Sequence, residues 1–65
     1  MKYIRIEERD NYKIYTTVES GGNYHSHVRY NDGTIGGCTS GNILENGWKS
    51  LTEYFQCHPG FEVAE

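Results

Sequence analysis

Sixty-five residues allow one domain, spanning positions 1–65, and leave no room for a second. Hydrophobic residues make up 35% of the chain and six tyrosines supplement them, so the core is expected to be small and aromatic. The net charge of −3 comes wholly from the segment after Asp32, where Lys49 alone opposes Glu45, Glu53, Glu62 and Glu65. That imbalance argues against a duplex nucleic-acid binder, which draws most of its affinity from phosphate neutralisation. No apolar run approaches the roughly 20 residues of a membrane span, and no signal-peptide core is present. A cytoplasmic protein with reduced thiols at Cys38 and Cys57 is the expectation.

Tyr3-Ile4-Arg5-Ile6-Glu7 alternates with period two, which places Ile4 and Ile6 on one face and Tyr3, Arg5 and Glu7 on the other. Arg9-Asp10-Asn11 has turn chemistry. Tyr12, Ile14, Thr16 and Val18 then alternate with Lys13, Tyr15, Thr17 and Glu19, and the two runs together predict a β-hairpin. After the loop Ser20-Gly21-Gly22-Asn23, the pattern resumes. Tyr24, Ser26, Val28 and Tyr30 take one face; His25, His27 and Arg29 take the other. Asn31-Asp32-Gly33 predicts a tight hairpin turn, with Asp32 and Gly33 at its centre. A return strand starts at Thr34-Ile35, and Gly36-Gly37 predicts a bulge or a close backbone approach within it.

Leu44, Trp48, Leu51 and Phe55 recur at helical spacing, which predicts one helix over Asn42 to Gln56. Asn42 with Glu45 resembles a capping box. Gly47 weakens the first turns and offers a later start at Trp48. Pro59-Gly60 ends the helix, and Phe61-Glu62-Val63 predicts a short edge strand. The fold class that follows is α+β: a small antiparallel β-meander of three to five strands packed against one C-terminal α-helix.

Two constellations could carry chemistry. His25, His27, Cys38, Cys57 and His58 supply the nitrogen and sulfur donors that zinc takes, and a two-residue turn at Asp32-Gly33 brings His27 opposite Cys38. The chain has no C-x-x-C, however, and the spacing matches no zinc-finger pattern. Cys38 within the glycine-rich stretch also raises a Cys–His nucleophile, but so short a chain rarely encloses a substrate cleft. Gly36 and Gly41 have P-loop spacing but are followed by Asn42 and Ile43 rather than Lys and Ser or Thr, so nucleotide hydrolysis is not supported.

The second constellation is Tyr3, Arg5, Lys13, Tyr15 and Arg29, expected to share one face of the sheet as a binding surface. On these grounds the sequence reads as a non-catalytic binding or regulatory module without a cofactor. Its expected partner is another protein, which it would meet as an adaptor or inhibitor. Homodimerisation through an edge strand or the helix is a further expectation. The alternatives are a single-stranded nucleic-acid binder or a small Cys/His metal-binding domain.

Overall fold

Wherever the period-two pattern holds, the chain is a strand. The computed structural model, which describes residues 1–64, has β1 (Lys2–Glu8), β2 (Tyr12–Val18), β3 (Asn23–Tyr30), β4 (Ile35–Asn42) and β5 (Glu62–Ala64). They form one antiparallel sheet in the order β4-β3-β2-β1-β5. A 3₁₀ turn (Leu44–Asn46) and one helix, α1 (Leu51–Cys57), follow β4. The fold is therefore α+β, and among the described residues no helix is long and apolar enough to cross a membrane.

The first turn sets the faces. Arg9 donates its N–H to the Tyr12 carbonyl at 2.8 Å, leaving only Asp10 and Asn11 between the paired residues. Tyr3 therefore faces Val18, Arg5 faces Thr16 and Ile6 faces Tyr15. The sequence pattern had allowed Arg9 into the turn as well, and one residue of register sends every β1 side chain to the opposite side. Directly opposed residues share a face, so Tyr3 and Arg5 lie with Val18 and Tyr24, while Ile4 and Ile6 lie with Tyr15 and His27.

The third hairpin reaches its expected register by another route. The turn takes in Asn31, Asp32 and Gly33, with Tyr30 donating to Thr34 at 2.8 Å, and Arg29 pairs with Ile35. Gly33 sits at φ +91°, a backbone region costly for residues with a Cβ. An extra residue on β4, in the Gly36-Gly37 stretch, then forms a bulge that restores His27 opposite Cys38. The turn is one residue longer than expected, and the bulge cancels the difference.

The single helix expected over Asn42 to Gln56 is instead two short pieces. Asn42 does cap, since its Oδ1 accepts from the N–H groups of Leu44 (2.9 Å) and Glu45 (3.3 Å), but what it caps is the 3₁₀ turn. Gly47 at φ +100° then stops that turn in the left-handed region. Ser50 caps α1: its Oγ accepts from Glu53 N–H at 3.1 Å, while Glu53 Oε2 accepts from the N–H of Lys49, the residue before the cap, at 3.0 Å. Seven residues are too few for a stable isolated helix. Rings hold it in place. Phe55 lies against Tyr3 with centroids 4.2 Å apart and against Phe61 at 5.0 Å, while Tyr54 meets Trp48 at 5.3 Å.

Among the described residues only Val18 (0% exposed) and Ile43 (3%) are buried hydrophobic residues. The radius of gyration is 12.3 Å, against about 11 Å for a compact domain of this length, so the molecule is drawn out along the sheet.

Phe55→Ala is expected to cost about 3 kcal/mol in urea unfolding, whereas Leu51→Ala, at a half-buried site, is expected to cost about 1–2 kcal/mol. The reverse order would show that the aromatic contact does not hold α1. A second expectation concerns Asp32, whose carboxylate accepts from the Thr34 hydroxyl (2.6 Å) and N–H (2.9 Å). The hydroxyl bond is the largest of the effects that hold its pKa below the ordinary aspartate value. A depressed folded-state pKa gives stabilisation that is present at neutral pH and lost as pH falls through that lowered value. Thr34→Val is expected to move the Asp32 midpoint upward in a carboxyl-carbon NMR titration; an unmoved midpoint would show that the hydroxyl does not close the turn.

Candidate functional site

The rings of α1 stand on the side of the sheet that carries Tyr3 and Val18, and among the described residues the other side has no second layer. That open face takes its residues from four strands. β1 supplies Ile4 and Ile6; β2 supplies Lys13, Tyr15 and Thr17; β3 supplies His25, His27 and Arg29; and β4 supplies Cys38.

At its centre Tyr15 and His27 are directly opposed on β2 and β3, and their rings stack with centroids 5.3 Å apart and planes 8° from parallel. The His25 ring continues the row at 5.8 Å from His27. The Arg29 guanidinium lies over the Tyr15 ring at 5.5 Å from its centroid, within cation–π range. His27 Nδ1 is buried in this stack without a hydrogen-bond partner, a polar group the fold leaves unsatisfied.

Apolar groups flank the stack. Ile6, opposite Tyr15, is 51% exposed, and Ile35, opposite Arg29, is 64% exposed. Charge at the rim is largely tied down, with Lys13 3.7 Å from Glu8 and Lys2 3.5 Å from Glu19. Arg29 makes no ion pair among the described residues.

The five residues expected to form one binding face are divided between two. Lys13, Tyr15 and Arg29 meet on the open face. Tyr3 and Arg5 lie on the other, where Tyr3 packs on Phe55 and Arg5 pairs with Glu7 at 2.9 Å and covers the Phe61 ring. The two-residue turn at Asp10-Asn11 is the cause.

The Cys/His group is divided in the same way. His25, His27 and Cys38 share the open face, but Cys57 and His58 end α1 on the other side of the sheet. The His58 ring is already engaged, stacked on Tyr54 at 4.1 Å with Nδ1 3.1 Å from the Tyr54 carbonyl oxygen. Both thiols are exposed and unpaired. Among the described residues no three His, Cys, Asp or Glu side chains are grouped to hold a metal ion. The glycine-rich stretch from Gly36 to Gly41 is an edge strand, so its N–H groups alternate in direction and do not converge on an anion.

Ile6 and Ile35 belong to the open face although no sequence pattern marked them as part of a site. A two-residue turn at Asp10-Asn11 was the one signal that could have found Ile6. One equivalent of zinc added to the reduced protein is expected to shift the melting temperature by less than about 1 °C, since a structural site would raise it by many degrees. A larger rise would restore the divided ligand set.

Comparison with protein-family models, curated proteins and solved structures finds no match to this chain.

Proposed function

We propose that the chain is a non-catalytic binding module that docks a partner protein on the open face of its sheet. In this reading the meander and α1 act as one unit: α1 braces one face, and the other stays free for the partner. The observation that carries the proposal is the row Arg29–Tyr15–His27–His25, flanked by half-exposed Ile6 and Ile35. Tyrosine and arginine on a rigid scaffold are the residue types that anchor protein interfaces, and their stacking lowers the rotamer entropy lost on docking. The isoleucines supply apolar area that a partner would remove from water.

The same stack could receive the base of a single strand, which is the rival reading. Charge favours the protein. A strand-binding groove needs several free cations along its track, whereas Lys13 is engaged by Glu8 and the whole chain carries −3. An adaptor or inhibitor working in the cytoplasm fits this surface, and there the exposed Cys38 and Cys57 would stay reduced.

A photo-crosslinking amino acid at position 15 tests the assignment against the same group at the exposed position 52. Position 15 is expected to give discrete protein adducts that position 52 does not. The partner so identified is expected to bind the Arg29→Glu variant at least roughly tenfold more weakly, equivalent to about 1.4 kcal/mol. Identical adducts at both positions, or adducts removed by nuclease, would overturn the proposal.

A further inference from the structure

The braced side of the sheet holds a cavity of about 240 Å³ between the β1–β3 strands and the loop that carries Trp48. Its wall is aromatic and polar together. Tyr24, Trp48, Tyr54 and Phe61 contribute rings, and Asn46 stands at the end of the 3₁₀ turn. Trp48 and Tyr54 are perpendicular, with interplanar angle 90° and centroids 5.3 Å apart, so a flat group lying on one meets the edge of the other. Thr16 and Ser26 hydrogen-bond to each other along the sheet side of the wall.

Size, charge and edge chemistry each narrow what this cavity could take. Its volume is about eight times the roughly 30 Å³ share of one liquid water, which suits one flat ring system. It falls below the roughly 300–1,000 Å³ of pockets that enclose larger ligands, so any sugar or chain would remain outside.

An aromatic cage beside a carboxylate ordinarily suggests a cation. Here Glu7 forms an ion pair with Arg5 at 2.9 Å and accepts from Arg9 at 2.9 Å, so the cluster is net positive and repels a bound cation. A plain apolar ring fits poorly as well. It would cover the polar part of a wall to which Thr16, Ser26 and Asn46 belong and return no hydrogen bond. Burial raises the Tyr54 pKa above the ordinary phenol value, the nearby Arg5 opposing this, so its hydroxyl stays a neutral donor at physiological pH.

We infer that this cavity binds a nucleobase-class ring: a flat, uncharged heteroaromatic group with hydrogen-bond donors and acceptors on its edge. The ring lies among Tyr24, Trp48 and Phe61, and the Asn46 amide, which offers both donors and an acceptor, reads its edge. A free nucleoside and a base presented by a single strand share this chemistry. The site lies on the opposite side of the sheet from the protein-docking face, so the two assignments stand or fall separately.

The chain has a single tryptophan, whose indole N–H gives one NMR signal at the cavity. The full chain is titrated with adenosine, guanosine, cytidine and uridine, and separately with four-nucleotide homopolymers of each base. At least one nucleoside is expected to shift the Trp48 indole signal saturably, with half-saturation below roughly 1 mM. Asn46→Ala and Tyr24→Phe are expected to weaken that binding at least fivefold, while Thr52→Ala at an exposed position leaves it unchanged. A tetramer binding no more tightly than its nucleoside assigns a free small molecule; tenfold tighter binding assigns a strand. Both results support base recognition. The inference is overturned if no nucleoside or tetramer shifts the signal at 5 mM, a ceiling about fivefold above the expected half-saturation. It is equally overturned if the shifts map to Tyr15 and His27, or if N-acetyltyrosinamide binds more tightly than every nucleoside.

Discussion

The hydrogen bond from Arg9 N–H to the Tyr12 carbonyl fixes which side of the molecule each β1 residue occupies. With only Asp10 and Asn11 between the paired residues, Tyr3 and Arg5 fall in with Val18 and Tyr24, and Ile4 and Ile6 are turned outward. Every later feature inherits that choice. Tyr3 is available for Phe55 to rest on, Arg5 and Glu7 reach the cavity beside Trp48, and Ile6 sits beside Tyr15 on the uncovered face. A register shifted by one would bring two isoleucines under α1 and place Tyr3, Arg5 and Glu7 in water.

Rings bear much of the stabilisation that a larger protein assigns to aliphatic side chains. Among the described residues Val18 and Ile43 are the only buried hydrophobic ones. Tyr3, Phe55, Phe61, Tyr54 and Trp48 form a connected series of edge and tilted contacts that ties β1 and α1 together. Such rings tolerate partial exposure, because tyrosine and tryptophan keep a polar end in contact with solvent. The same property makes the cavity chemically mixed. A core of leucine and valine in that position would have packed dry, with no polar groups at its wall.

Strand alternation and glycine placement were readable from residue types, as the Tyr12–Val18 and Tyr24–Tyr30 runs and the bulge near Gly36 illustrate. Register was not, because Arg9-Asp10-Asn11 is compatible with turns of either length and the alternation is blind to the difference. The helix was misjudged for a related reason. Asn42-x-x-Glu45 and Ser50-x-x-Glu53 carry the same capping signature, and only the left-handed Gly47 between them shows that they start separate elements. Lys13, Tyr15 and Arg29 share a face as their alternation implies, whereas Tyr3 and Arg5 are separated from them by a register that alternation does not encode. His27 opposite Cys38 was anticipated from a two-residue turn and arises instead from a longer turn offset by a bulge.

β1 is bordered on one side by β2, its immediate successor in the chain, and on the other by β5, whose Val63 pairs with Tyr3 across almost the whole sequence. During synthesis the first hairpin can close early, but the outer edge of β1 has no partner until some sixty residues later. Throughout that interval the N-terminal strand presents a row of free N–H and C=O groups to whatever else is nearby. Contacts of such wide sequence separation are slow to form. Until the residues of β5 have been made, the growing chain has to keep that edge of β1 unclaimed.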